Sequence, residues 1–241
     1  MKLSNPASRY HLRIGNQERV LEVGSGHDPH PRSNVIVDKF IDTNYHRKSD
    51  IKVLEHQQFI QADGADMPFE DKAFDYVICN QVLEHVDDPA AFLQEQSRVA
   101  KRGYLETPSL VGEYLFPKES HRWLILELDQ KLIIMEKERF WFDTRLDFGF
   151  LFLTYLQRTS MGYKVLTKTR PNLWSTRYEW KDQIDFEVNT ENPRYRAYFE
   201  GPWSEEMVRT FFPEPSRSKE FMAAFSSMLS IGWNALSRSF R

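Results

Sequence analysis

Between residues 19 and 108, short apolar runs recur, the first four closed by a glycine, an acid or an amide. Arg19-Val20-Leu21-Glu22-Val23 ends at Gly24-Ser25-Gly26, the pattern of a buried strand entering a tight turn. Val35-Ile36-Val37-Asp38 is a second run and Gln58-Phe59-Ile60-Gln61-Ala62-Asp63 a third. Phe74 to Asn80 is a fourth, and Arg102 to Pro108 a fifth. Between the last two a helix is predicted: Asp88 caps it, Pro89 takes its first position, and Phe92, Leu93, Gln96 and Val99 follow at helical spacing. Short strands alternating with connectors predict an α/β fold, a Rossmann-like, mostly parallel sheet with helices on both faces. Such sheets bind ligands at the carboxyl ends of their strands, and Gly24 to Gly26, Asp38, Asp63 and Asn80 all fall at such ends.

After Pro108 the pattern changes to aromatic and apolar residues with interleaved charges. Leu124–Glu138 reads as one helix and Leu146–Arg158 as another. Met161 to Leu166 reads as a turn and strand, and Trp180 to Val188 as its antiparallel partner. Phe221 to Phe240 is expected to be an amphipathic helix, weakened by Gly232. One domain is expected over 1–241. It comprises an N-terminal arm (1–18), a ligand-binding core (19–108), a mainly helical insert after strand five (109–160), and late strands with a C-terminal helix (161–241).

Composition narrows the class. Hydrophobic residues form 41% of 241, enough for a packed core. The 32 basic and 35 acidic residues leave −3, which argues against a dedicated nucleic-acid binder. The single cysteine, Cys79, excludes an internal disulfide framework and suits a reducing cytosol. The longest apolar stretch, Phe148 to Leu156, is too short to span a membrane, and the N-terminus lacks the apolar core of a secretory signal. A cytoplasmic enzyme without a transmembrane segment is expected.

A Gly-x-Gly turn after a first strand lets backbone approach a ligand, but alone it fits a dinucleotide, a nucleoside or a plain turn. Asp38 can accept both hydroxyls of a ribose. Asp63 can take the amino group of an adenine, with the Gly64 amide facing a ring nitrogen. Each alone is more often a solvated carboxylate; their order along the chain is the signal. Four stretches carry a resemblance: Val20 to Gly26, Val35 to Asp38, Ala62 to Phe69, and Phe74 to Val86 with its Leu83-Glu84-His85. They resemble class I S-adenosylmethionine-dependent methyltransferases, in particular those with a methyltransferase 11 type domain, over roughly residues 19–108. The resemblance implies that Glu22 closes the first motif near the methionine end of the cofactor. It further implies that Gly24, Ser25 and Gly26 lie beneath the cofactor, Asp38 holds the ribose, Asp63 and Gly64 the adenine, and Asn80 the methionine carboxylate side. One departure stands out. His27-Asp28-Pro29-His30-Pro31 follows the turn at once, and Asp38 arrives earlier than the usual spacing of about twenty residues. The prolines leave room for one helical turn at most, so the first connector is shortened and that face of the sheet is left for the arm or the late insert to cover. A nicotinamide enzyme, which wants a helix N-terminus at this turn, is disfavoured.

The resemblance implies methyl transfer, in which the protein chiefly aligns nucleophile, methyl and sulfur. An aliphatic hydroxyl benefits from a general base, and histidine is poised for that. His121, in Glu119-Ser120-His121-Arg122-Trp123, is the first candidate, with Arg122 as acceptor clamp and Glu119 as orienter; His85 is the second, with a helix-initiating structural role as its alternative. His27, Asp28 and His30 offer a single carboxylate where a hard cation wants two or three, so no metal is expected. Of Trp123, Phe140, Trp141, Phe142, Trp174, Trp180 and Trp203, most are expected in the core, with a few free to stack on a sugar ring. The Ser120-His121-Arg122-Trp123 segment also resembles methyltransferases of glycan and surface-polysaccharide biosynthesis, which implies a sugar or glycan hydroxyl as acceptor. A small-molecule or protein acceptor, or a non-catalytic methyltransferase-like module, stays open. The C-terminal helix is expected to pack on the domain or on a second subunit, with peripheral membrane contact as the rival reading; the oligomeric state is not legible.

Overall fold

The computed structural model describes residues 1–41, 49–140 and 145–239. Its strands are β1 (Lys2–Ser4), β2 (Val20–Val23), β3 (Val35–Asp38), β4 (Gln58–Gln61), β5 (Phe74–Asn80), β6 (Ala100–Pro108), β7 (Trp123–Leu128), β8 (Lys131–Glu136), β9 (Ser175–Lys181) and β10 (Phe186–Val188). The helices are α1 (Pro89–Val99), α2 (Leu110–Leu115), α3 (Leu156–Thr159), α4 (Met161–Thr169), α5 (Pro193–Glu200), α6 (Glu205–Phe211) and α7 (Arg217–Ser239). Seven strands form one sheet in the order β1-β9-β6-β5-β2-β3-β4. The pairs β6-β5, β5-β2, β2-β3 and β3-β4 are parallel, whereas β9 runs antiparallel to β6 and β1 antiparallel to β9. This is the α/β sheet the alternation predicts. The chain order reverses beside β2, so the crevice between the carboxyl ends of β2 and β5 is the switch point.

The two faces of the sheet are covered differently. Leu21, Val23, Val35, Val37, Val77 and Cys79 pack on one face with Phe92, Leu93 and Val99 of α1. Asp88 caps α1 through Ala90 N and Ala91 N, as its sequence predicts. On the other face Val20, Tyr76, Ile78 and Tyr104 meet Leu12 and Ile14 of the arm. No helix lies between β2 and β3, so the shortened connector stands, and the arm, built of β1 and a 3-10 turn at Arg9–His11, fills the face.

The insert departs from expectation. Leu124–Glu138 is not a helix; β7 and β8 form an antiparallel hairpin over this stretch, so the insert mixes strand with helix. Leu124, Leu126, Leu128, Ile133 and Met135 pack under α5, while Trp123, Ile125, Leu132 and Ile134 pack on the main core. Burial on both faces produces continuous apolar runs, which periodicity cannot tell from a buried helix. The turn residues Asp129 and Gln130 have φ of 50° and 64°, the pair of positive values that a tight hairpin needs. The parallel strand β10 completes this second sheet, β10-β8-β7.

Met161–Leu166 is not a strand but lies in α4, begun by Ser160, whose Oγ accepts from Tyr163 N at 3.2 Å. The Trp180–Val188 stretch splits into the end of β9 and β10, and the antiparallel partners of β9 are β6 and β1. Leu146–Arg158 is helical from Phe150, a π-helix over Phe150–Tyr155 running into α3. The expected C-terminal helix forms as α7; Phe240 and Arg241 lie outside the described residues. Among the described residues no helix is long and apolar enough to cross a membrane.

Candidate functional site

A cavity of about 580 Å³ opens at the carboxyl ends of the parallel strands. Of the candidate site residues singled out from the sequence, Gly24, Asp38, Asp63, Gly64, His85, Glu119 and Arg122 line it. Gly24 follows β2 with φ of 69°, and a Cβ there would stand 2.3 Å from Val82 Cγ2. Only glycine lets the turn pass so close to the β5 loop. At Gly64 a Cβ would meet Phe92 Cε2 at 2.6 Å and Val23 Cγ1 at 2.9 Å, so this loop tip also admits no side chain. Asp38 ends β3 and accepts from Phe40 N at 3.0 Å. Asp63 accepts from Ala65 N at 3.0 Å and pairs with Lys39 at 2.7 Å. Burial pushes its carboxyl up, but the Lys39 and Ala65 bonds outweigh that and hold it below the ordinary carboxylate range.

Glu22, Ser25, Gly26, Asn80 and His121 do not line this cavity. Glu22 is 1% exposed and accepts from His30 N at 2.7 Å and Ser33 Oγ at 2.8 Å; Arg9 Nη1 donates to it at 3.4 Å. It braces the short connector and ties the arm to it. Ser25 is buried, and among the described residues its Oγ has no hydrogen-bond partner. The Gly26 carbonyl accepts from Lys52 N at 3.0 Å. Asn80 closes β5, and the next residue, Gln81, has φ of 58°. The His27-Asp28-His30 turn gathers no ligand set: Asp28 binds Arg9 and Tyr10, and His30 Nδ1 accepts from Arg32 N.

At one wall of the cavity, the turn after β5 meets the loop before β7. Arg122 N donates to Glu84 O at 2.8 Å and Trp123 Nε1 to Val86 O at 2.7 Å, locking the two segments together. The rings of His85 and His121 meet edge to face, 4.7 Å between centroids. His121 is 3% exposed. The carboxylate beside it is not Glu119 but Glu113 of α2, whose Oε2 lies 2.5 Å from Nδ1 and whose Oε1 binds Lys137 Nζ at 2.7 Å. Burial raises the Glu113 carboxyl, but His121 and Lys137 more than offset it and hold it low. Among the described residues, His121 Nε2 and both carboxylate oxygens of Glu84 are buried without a hydrogen-bond partner. Burial pushes the Glu84 carboxyl up to about 8. Arg122 is engaged by Asp87.

Glu113 and Lys137 escape a reading of the sequence. Glu113 stands eight residues before His121 and Lys137 follows a hairpin, so neither has a local signal. Of the aromatics, Trp123 and Trp180 are core, Trp174 stacks among Phe116, Phe152 and Tyr163, and Trp203 packs on Tyr198 and Phe211. Phe140 lines a second hollow of about 730 Å³ with Tyr198 and Trp203, while Trp141 and Phe142 lie outside the described residues.

Residues 36–105 match the family model described as a methyltransferase domain. Over 44 residues the chain is 46% identical to an uncharacterized protein of Methanocaldococcus jannaschii, covering 18% of this chain and 22% of that one. Over 69 residues it is 38% identical to an uncharacterized methyltransferase of Schizosaccharomyces pombe, covering 27% of this chain and 25% of that one. The matched stretches thus span about a quarter of these curated relatives. Among solved structures, the YcgJ protein of Bacillus subtilis aligns with 45% of this chain and 56% of its own at 21% identity and a TM-score of 0.35. A Pyrococcus horikoshii protein aligns with 70% of this chain and 84% of its own at 17% identity and a TM-score of 0.39. Likenesses this slight add nothing to the topology described above. The cavity itself has what an adenosyl group needs, two side-chain-free loop tips and an acid at the end of each of two adjacent strands. Residues 36–105, which carry Asp38, Asp63, Gly64 and His85, are thus similar to a methyltransferase domain.

Proposed function

We propose that the chain is a cytoplasmic O-methyltransferase acting on a hydroxyl of a sugar or glycan. Asp38 receives the ribose hydroxyls, and Asp63, released in part from Lys39, receives the adenine amino group beside the Gly64 amide. Ser25, Gly26 and Asn80, next to the Gly24 turn, serve the methionine end, and Glu22 holds that turn in place from beneath. When bound, S-adenosylmethionine supplies a methyl group already made electrophilic by its sulfonium. What remains for the protein is to orient the acceptor and take up its proton.

The observation that carries this reading is His121. Its Nδ1–H donates to Glu113, which fixes the tautomer and leaves a lone pair on the buried Nε2 beside His85, at the wall of the cofactor cavity. When nothing else occupies that corner, Nε2 receives the proton of the acceptor hydroxyl. Ser120 and Arg122 face the same cavity and offer polar contacts to a polyol. Calorimetric titration with S-adenosylhomocysteine tests the cofactor, and transfer of labelled methyl to nucleotide sugars and short oligosaccharides tests the acceptor. His121→Ala is expected to cut turnover about 100-fold or more with the homocysteine product's affinity unchanged. Unchanged turnover removes the histidine base; no heat and no transfer overturn the whole reading. For the apolar residues of α7 that stay exposed we propose peripheral membrane contact, with a second subunit as the rival occupant.

A further inference from the structure

We propose that Glu84, His85 and His121 form a binding site for a divalent transition-metal ion, with zinc the best match to the donors. One ligand atom from each residue lies within 4.8 Å of the other two, and His85 Nε2 stands 4.0 Å from Glu84 Oε1. Three donors around a zinc ion at about 2.0–2.2 Å sit roughly 3.4 Å apart, so the cluster closes with side-chain shifts of about 1 Å. Two imidazoles and one carboxylate are donors for zinc and its transition-metal neighbours rather than for magnesium or calcium, which prefer oxygen alone.

Three independent features say that the corner is built for a cation. First, both oxygens of Glu84, 1% exposed, and Nε2 of His121, 3% exposed, lack a hydrogen-bond partner among the described residues. Acceptors so deeply buried are ordinarily paired. Second, both imidazoles are oriented as metal ligands are. His85 Nδ1 donates to Ser120 O at 2.9 Å and His121 Nδ1 to Glu113 Oε2 at 2.5 Å, which leaves each Nε2 as the lone-pair nitrogen. The Glu113-His121 pair, itself anchored by Lys137, is the carboxylate-histidine arrangement that holds such ligands in place. Third, the His85 and His121 rings meet edge to face, 4.7 Å between centroids, so both imidazoles turn into one corner. The two segments that bring the ligands together are already bolted by the Arg122–Glu84 and Trp123–Val86 bonds.

His85 also lines the cofactor cavity, so a cation here is reached from the cavity. An acceptor hydroxyl bound to it loses its proton to water more readily, because the cation stabilises the oxyanion. His121 is then a ligand, and the ion takes over the task given above to its nitrogen. That role rests on the methyl-transfer reading; occupancy of the site does not.

The full chain, dialysed against a chelator, is titrated with zinc chloride by calorimetry and with cobalt chloride by visible absorption. One equivalent of zinc is expected, with cobalt giving the intense bands of a four- or five-coordinate ion. Glu84→Gln and His121→Asn are expected to weaken zinc binding about 100-fold or more, and Glu113→Gln about 10- to 100-fold. Neither saturable zinc nor cobalt uptake by the unaltered chain, or uptake unchanged in both ligand variants, overturns the proposal. Should a variant fail to fold by circular dichroism, the unaltered chain's cobalt spectrum decides: the weak bands of the six-coordinate aqua ion overturn it. Titrating the same samples with S-adenosylhomocysteine keeps the two readings apart. Heat from that ligand without metal uptake sinks only the metal site, and the reverse sinks only methyl transfer.

Discussion

Glu22 and Glu84 are equally buried, yet they are satisfied in opposite ways. Glu22 has a backbone amide, a serine and an arginine around it, whereas Glu84 has no hydrogen-bond partner for its carboxylate among the described residues. Burial raises the Glu22 carboxyl above its ordinary value even so. A carboxyl raised on folding binds its proton more tightly in the folded state than in the unfolded one. Its contribution to stability is therefore complete below about pH 4.3 and is lost as the pH climbs through the raised folded value. Glu22→Gln, which cannot titrate, should gain in melting temperature relative to the unaltered chain between about pH 4 and about pH 7. A difference that stays constant across that range contradicts this. Gly24, Asp38, Asp63, Gly64 and His85 were legible in the sequence because each sits at or just beyond the end of a strand that its own apolar run defines. Glu113 was not, because nothing within its own helix records that a loop eight residues on folds back against it.

The parallel strands and α1 were legible for local reasons, β-branched runs closed by turn residues and a helix opened by Asp-Pro. The β7-β8 hairpin was not, because both of its faces are buried and its turn lacks the glycine that usually marks one. Gln130 holds a φ of 64° in that turn, and its side chain is not what Tyr178 binds, since the tyrosine hydroxyl donates to the backbone carbonyl. Gln130→Gly is thus expected to stabilise the protein by about 1 kcal/mol, read as a higher denaturant midpoint; a lower midpoint contradicts the turn geometry. In α7 the exposed Phe221, Phe225, Met228, Leu229 and Trp233 give the helix an uncovered apolar surface. With Phe221, Phe225 and Trp233 changed together to Ser, flotation of the chain with anionic liposomes should fall to background, while the unaltered chain floats. Equal flotation of both removes the membrane assignment.

Taken whole, the molecule is a parallel sheet whose two faces are held by different forces. One face is closed by α1 and the β7-β8-β10 sheet through a continuous apolar core. The other is closed by the arm, with Leu12 and Ile14 as apolar cover among the described residues and with polar ties around them. Arg9 meets Glu22 and Asp28, Arg102 meets Glu18, Arg177 reaches Ala7 O, and Ser4 binds Glu179. Apolar burial is indifferent to added salt at these concentrations, whereas partly exposed ion pairs weaken as the screening length falls from about 10 Å at 0.1 M to about 3 Å at 1 M. Hydrogen exchange of residues 2–14 should therefore quicken in 1 M potassium chloride while that of β7 and β8 does not; equal responses would contradict the division. In trading a crossover helix for a laced ribbon, the chain has made the cover of that face, held at its rim by Arg102–Glu18 and Arg9–Asp28, responsive to the ionic strength of its surroundings.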